Sequence, residues 1–234
     1  MNRRTFLKSV PALAMLASAE TSFSADVNTT AAGAAQQITA GDVIKLSKPD
    51  LKKGTATMEA LSKRKSDRNY SDKKLTLQQL SEVLWAADGV NRPDGKRTAP
   101  TAIFMYAVDI YAVLPEGVYL YSVAKHELTL VVKGDFRKDT TTQEYPQDFV
   151  YITPLNLVYV LNFTKNWQDT AVNKNRDRWV AVELGCIAQN VQLYCVSEGL
   201  GSVIRGLIDE NKFSKVIKVK PEQVLLAQTV GYLK

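Results

Sequence analysis

Between Arg178 and Glu198 the chain carries apolar residues on nearly every side of a helix, among them Val180, Leu184, Ile187 and Val191. Such a helix cannot rest on a surface; other elements have to cover it. Its polar members Glu183, Asn190 and Ser197 recur at intervals of seven and so share one face. Strand-rich sequence on both sides supplies the cover, and the expected class is α+β in layers, a mixed sheet flanked by helices.

Ala102 to Val113 is apolar and aromatic and reads as a strand. Val118 to Val123 and Leu128 to Val132 alternate across a short turn and read as a hairpin, while Leu157 to Phe163 and Val224 to Tyr232 read as two further strands. Thr76 to Asp88 is the best amphipathic helix, with Leu77, Leu80, Leu84 and Ala87 at helical spacing. Thr76 and Gln79 form a capping box at its start, and Gly89 stands where it should stop. An earlier helix begins at Thr57, with Met58 and Leu61 on one side. Residues 26–54 are rich in Ala, Thr, Gln, Lys and Gly and read as a linker over the surface of one domain spanning 55–234.

The first 25 residues read as an address. Arg3, Arg4 and Lys8 form a basic start, Ser9 to Leu16 is mildly apolar, and Ala17-Ser18-Ala19 has the form of a cleavage site. Arg3-Arg4-Thr5-Phe6-Leu7-Lys8 also has the look of a twin-arginine signal, a route that carries folded proteins. The expectation is an exported, periplasmic protein without stable membrane insertion, since no stretch approaches the ~20 apolar residues of a membrane span. A cut after Ala19, which leaves Glu20 on the mature chain, changes the charge from +6 to +3, because 30 basic residues become 27 against 24 acidic ones. That is too little, and too scattered, to indicate nucleic acid as a partner.

Two cysteines cannot form a disulfide framework. Cys186 and Cys195 are nine residues apart on one helix, about 13 Å, beyond the ~7 Å that a disulfide spans. His126 is the only histidine and sits in the hairpin turn, where a solvated turn residue is the expected role. With no Gly-x-Ser-x-Gly elbow and no Cys-x-x-Cys pair, hydrolase triads and zinc chemistry are set aside. Gly89 to Arg97 ends in Gly95-Lys96 but has five residues between its glycines and Arg after the Lys, so it is not a Walker loop. Gly199-Leu200-Gly201-Ser202 follows a helix, so it caps that helix and leads into extended backbone; a dinucleotide fingerprint would follow a strand. In Arg64-Lys65-Ser66-Asp67-Arg68, two guanidiniums four apart with a hydroxyl between them can converge on a phosphate, or can be a solvated face at a helix end.

From Thr57 to Tyr232 these pieces occur in an order that resembles the FMN-dependent nitroreductase family. The resemblance rests on Arg64-x-Ser66-x-Arg68-x-Tyr70, Leu84-Trp85-Ala86-Ala87-x-Gly89, and Gly95-Lys96-Arg97-Thr98-Ala99-Pro100-Thr101-Ala102. It rests also on Gly185-x-x-x-Gln189-Asn190, Gly199-Leu200-Gly201-Ser202 and Val230-Gly231-Tyr232. It implies an α+β sandwich with a mostly antiparallel central sheet, an intimate homodimer, and FMN at the subunit interface. By the same resemblance Arg64 and Ser66 are the phosphate ligands, with Lys65 contributing main chain, and Arg68 is the cation near the pyrimidine edge of the flavin. Pro100, Thr101 and Ala102 are similar to the loop that lies against the ring in the partner's site. Gly201 and Ser202 lead into Val203, Arg205 and Gly206, which resemble the segment facing the ring, and Gln189 and Asn190 are placed near the interface. No side chain is assigned as catalytic and no metal is implied. The implied activity is hydride transfer from NAD(P)H to a small electrophile such as a nitroaromatic or a quinone. The alternative is a flavin- or ligand-binding protein without turnover, favoured by Phe104 where relatives commonly carry Asn and by a chain that stops at Lys234. Arg205 would put an unusual cation near the ring.

Overall fold

The structure is a computed structural model that describes residues 41–162 and 170–234. The segment 1–25 that reads as an export signal, most of the stretch that reads as a linker, and Phe163 lie outside the described residues. In chain order the elements are β1 (Val43–Lys45), α1 (Thr57–Lys63), α2 (Leu77–Asp88), β2 (Val108–Leu114), β3 (Gly117–Ser122) and β4 (Glu127–Lys133). Then follow α3 (Phe149–Ile152), β5 (Leu155–Leu161), α4 (Thr170–Ser197), β6 (Leu200–Arg205), α5 (Glu210–Ile217) and β7 (Val224–Tyr232).

The described strands form one sheet in the order β1-β4-β3-β2-β5-β7-β6, and every neighbouring pair is antiparallel. The α+β class holds, but the mixed sheet expected from the strand and helix order does not. β5 and β6 do run parallel on either side of α4. The C-terminal strand β7 inserts between them and pairs antiparallel with both. β6 is thereby pushed out to the sheet's end.

Helices cover both faces, which alternating side chains fill separately. On one face Leu80 and Leu84 of α2 and Ile187 and Val191 of α4 pack over Leu155, Leu157 and Tyr159 of β5. On the other, Phe213 and Ile217 of α5 cover Val113, Val158 and Val160. Phe213 is fully buried, a placement that contributes about 1.5–3 kcal/mol.

Local sequence signals explain most element ends. Thr76 and Gln79 make the expected capping box on α2, Gln79 N donating to Thr76 Oγ1 at 3.1 Å and Thr76 N to Gln79 Oε1 at 3.0 Å. Gly89 ends the helix without a left-handed turn (φ −70°). A Cβ there would lie 2.3 Å from Trp85 Cδ1, so close approach of the Trp85 ring fixes the glycine.

Several expectations are corrected. Val43–Lys45, inside the stretch read as a linker, adds strand β1 to β4. The chain then crosses α2, with Ser47 N bonded to Ser81 Oγ at 2.9 Å and Asp50 N to Glu82 Oε1 at 3.0 Å. His126 is not a free turn residue: Nε2 donates to the Ser47 carbonyl at 2.9 Å and Nδ1 accepts from Tyr121 Oη at 2.9 Å. Burial lowers its pKa, which suits that neutral tautomer. The strand expected from Ala102 starts only at Val108, because Ala102–Phe104 forms a 3-10 turn. Finally, α4 is not covered all round: Val182 is 60% exposed and Ala181 and Gly185 are exposed beside it. Among the described residues no helix is long and apolar enough to cross a membrane.

Candidate functional site

Where α1 stops at Lys63, Arg64 adopts extended backbone (φ −61°, ψ 124°) and starts a segment that runs along the free side of β6. Arg64 Nη1 donates to Gln192 Oε1 of α4 at 3.1 Å. Three residues later Asp67 N donates to the Ser202 carbonyl at 3.2 Å, and Tyr70, 1% exposed, pins the end of the segment against Phe149 at 5.8 Å between ring centroids. Lys65 pairs with Asp67 at 3.5 Å. Ser66 and Arg68 are exposed, and Arg68 reaches only the Ser66 carbonyl at 3.5 Å. Among the described residues neither Arg64 nor Arg68 has a carboxylate within 4.0 Å.

β6 supplies main chain to this margin. The Ser202 carbonyl faces outward to Asp67, and in an antiparallel pair the N–H and C=O of a residue point the same way while alternate residues share a side. Ile204 therefore also presents its amide to the open edge, while Val203 and Arg205 bond to β7. The Ser202 side chain turns inward, where Oγ accepts from Gln228 Nε2 at 2.8 Å, so only its main chain belongs to the margin. Gly206 is exposed just beyond the strand.

The Arg205 side chain is not on this margin. It is 3% exposed and lies on the α5 face. Nε donates to Thr229 Oγ1 at 2.9 Å, Nη1 to the Thr140 carbonyl at 2.7 Å, and Nη2 to Thr140 Oγ1 and Asn156 Oδ1 at 3.1 and 3.2 Å. Burial pulls its pKa down to about 10, which leaves it protonated at neutral pH. The cation expected near the ring is spent inside the fold, because the strand's alternation points residue 205 at the interior of the opposite layer.

Pro100, Thr101 and Ala102 lie in a second, separate feature. Ile103, Phe104 and Tyr106 have φ of 44°, 60° and 45°, and each non-glycine residue held there costs about 1 kcal/mol or more. Ile103 and Phe104 are 59% and 67% exposed at the tip. The loop's neck is tied by Thr101, whose Oγ1 accepts from Tyr106 N at 2.9 Å and donates to Glu183 Oε2. Glu183 Oε1 accepts from Val108 N at 3.2 Å. Burial raises the Glu183 pKa against the lowering effect of these bonds. Beyond the neck, Arg97 pairs with buried Asp88 and lies 4.0 Å over the Tyr106 ring. Burial pushes the Asp88 carboxyl up to about 7 despite Arg97, and among the described residues its Oδ1 has no hydrogen-bond partner.

The structure thus brings Arg64, Lys65, Ser66 and Arg68 together with the main chain of Gly201 to Gly206, and sets Pro100–Ala102 apart from them. Gln189 and Asn190 are half-buried on α4, Gln189 one turn before Gln192. Sequence reasoning missed Gln192, the partner of Arg64, and gave Glu183 no task. The available signal was that each is a polar residue on an otherwise apolar helix. Two guanidiniums free of carboxylates, an exposed hydroxyl and an open strand edge fit a phosphate-bearing planar group.

Comparison with known proteins bears on the family and the fold of the chain. The model of the family described as Nitroreductase matches residues 61–232. A protein of Methanocaldococcus jannaschii provisionally named a nitroreductase is 33% identical over 198 residues, covering 82% of this chain and 98% of its own. A crystal structure of a protein from Ralstonia eutropha JMP134, provisionally named a nitroreductase, is 37% identical. It superposes with a TM-score of 0.75 over 86% of this chain and 96% of that one. The NADPH:FMN oxidoreductase of Vibrio harveyi, solved with NAD+, shares the fold at 18% identity and a TM-score of 0.53, over 76% of this chain and 69% of that one.

Proposed function

Because the chain belongs to the nitroreductase family, we propose that it is an FMN-dependent oxidoreductase that moves hydride from NAD(P)H to a small electrophile such as a nitroaromatic or a quinone. The observation that carries this reading is the unpaired cationic margin of Arg64 and Arg68 beside the open edge of β6. Bound FMN supplies a ring nitrogen, N5, that can accept and return a hydride.

The chain's own residues bind and orient. Arg64, held by Gln192, and the exposed hydroxyl of Ser66 take the phosphate, with Lys65 adding main chain. Arg68 places positive charge where the ring gains negative charge on reduction. The outward amides along Ser202 to Gly206 provide hydrogen bonds to a planar edge. Arg205 acts from behind, fixing Thr140, Asn156 and Thr229 beneath the strand.

The working form of this reading is a homodimer. Val182, Ala181 and Gly185 leave an apolar, small-residue face on α4, and at Gly185 a Cβ would meet nothing within 4 Å. A second copy covers that face and brings its Pro100–Ala102 loop, with Gln189 and Asn190 at the junction. The twin-arginine reading of residues 1–25 places the protein in the periplasm, carried there folded.

The test is an absorption spectrum of the purified protein before and after addition of FMN and then NADPH under argon. The reading expects flavin bands that stay with the protein through gel filtration and bleach with NADPH. Absence of flavin bands after reconstitution would overturn it. Exposed Phe104 favours a second reading, flavin binding without turnover. Bound flavin that neither NADPH nor dithionite with an acceptor can cycle would select that one.

A further inference from the structure

The Pro100–Tyr106 loop has an unusual construction for an exposed turn. It carries three non-glycine residues at positive φ, one of them the β-branched Ile103, and it raises Ile103 and Phe104 into solvent. A strained, apolar tip persists only if its base over-determines it. The base is closed by one relay. Tyr106 N donates to Thr101 Oγ1 at 2.9 Å, the Thr101 hydroxyl donates to Glu183 Oε2, and Glu183 Oε1 accepts from Val108 N at 3.2 Å, just after the loop.

Glu183 is 3% exposed on α4 and has no cation within 4.0 Å among the described residues. A buried carboxylate without an ion pair is costly, and an apolar residue at that helix position would pack at lower cost. Its side-chain hydrogen bonds go to the loop and to the strand that follows it. Both Glu183 oxygens accept, so the Thr101 hydroxyl donates to Oε2 and keeps its lone pairs for Tyr106 N–H. The direction of the whole relay is set from Glu183.

We propose that Glu183 is a positioning residue that acts through Thr101 to hold the Pro100–Tyr106 loop in its raised shape, and so governs how the loop presents Ile103 and Phe104 to an electron acceptor. The clasp itself stands on the geometry of this chain; only the identity of what the loop meets rests on the function proposed above.

The test begins with the flavin-free protein. Limited chymotrypsin cleavage after Phe104 and Tyr106, followed by mass spectrometry, reads opening of the loop, and urea unfolding reads global stability. Glu183→Gln and Thr101→Val should each raise the cleavage rate about tenfold, while the unfolding free energy falls by no more than the ~1.4 kcal/mol that a tenfold change represents. The double variant should be no faster than either single one, and Thr101→Ser should cleave like the wild type. In the FMN-loaded protein, Glu183→Gln should raise the KM for the acceptor more than it lowers kcat. Cleavage at the wild-type rate in both single variants, or rates that multiply in the double variant, would overturn the proposal. If Glu183→Gln does not fold, the Thr101→Val and Thr101→Ser pair decides alone. A chain that binds no FMN would sink the proposed function while leaving the cleavage result to stand or fall by itself.

Discussion

The margin beside β6 and the Pro100–Tyr106 loop both lean on α4, through Gln192 and Glu183, nine residues or about 13 Å apart. They are built in opposite ways. On the margin half-buried Arg64 and exposed Arg68 have no carboxylate within 4.0 Å among the described residues, and Arg64 is held by a hydrogen bond to the neutral amide of Gln192. At the loop the charges are buried carboxylates, and their bonds are used to fix backbone shape. The first arrangement stores binding capacity, because no ion pair of Arg64 or Arg68 has to be broken before an anion arrives. The second stores conformation, because buried acceptors leave the loop no cheap alternative. A site needs both kinds of feature, and in this chain one helix carries them together.

The contrast can be broken hardest by comparing two arginines. Arg205→Ala removes four hydrogen bonds from a buried layer and should lower the unfolding free energy by about 3 kcal/mol or more. Arg64→Ala should leave urea unfolding within about 0.5 kcal/mol of wild type. Equal losses in the two variants would mean that the margin is structural.

Next comes pH. Burial holds the Asp88 carboxyl at about 7 in the fold, against a usual value of 3.8. Between those values the folded chain keeps a proton that the unfolded chain has released. The contribution is therefore complete below about pH 4 and is lost as pH rises through about 7, up to a few kcal/mol. Wild-type stability should fall across that window, and Asp88→Asn should flatten the fall by more than half. Parallel curves from urea titrations at pH 4, 5.5 and 7 would contradict the assignment.

The smallest expected effect sharpens the margin itself. Gln192→Leu leaves Arg64 in place but unoriented, so FMN affinity should drop about threefold to tenfold. Stability should change by less than about 1 kcal/mol, measured by flavin titration and urea unfolding side by side. An unchanged affinity would mean that the hydrogen bond does not orient Arg64.

What the sequence made legible follows a physical line. The capping box at Thr76 and Gln79 and strand β7, Val224–Tyr232, were readable because their signals are local: a side chain reaching its own helix start, and alternation over consecutive residues. The stop at Gly89 was readable too, although the reason turned out to be the Trp85 ring and not a left-handed turn. Non-local choices were hidden. Nothing near Val43 says that it will pair with Thr129, and nothing near Arg205 says that Thr140 will wait for it across the fold. The turn at Ala102–Phe104 was misread as strand because Ile103 and Phe104 have strand-forming side chains, and the clasp to Glu183 overrides that preference from 82 positions away. For the candidate site, the spacing of Arg64, Ser66 and Arg68 left a phosphate grip and a solvated helix end both open, and only the family resemblance favoured the first. Gln192 and Glu183 could not be singled out, since each gains its task only when α4 is laid against another segment.

The account turns on whether the margin beside β6 binds FMN through Arg64. The direct measurement is a titration of FMN with the wild-type protein and with Arg64→Ala, followed by quenching of flavin fluorescence. The account predicts saturable binding of one FMN per chain, weakened about tenfold or more by the substitution, since a charge-assisted hydrogen bond contributes about 1.5–3 kcal/mol. Equal affinities for the two proteins, or no saturable binding by the wild type, would contradict it.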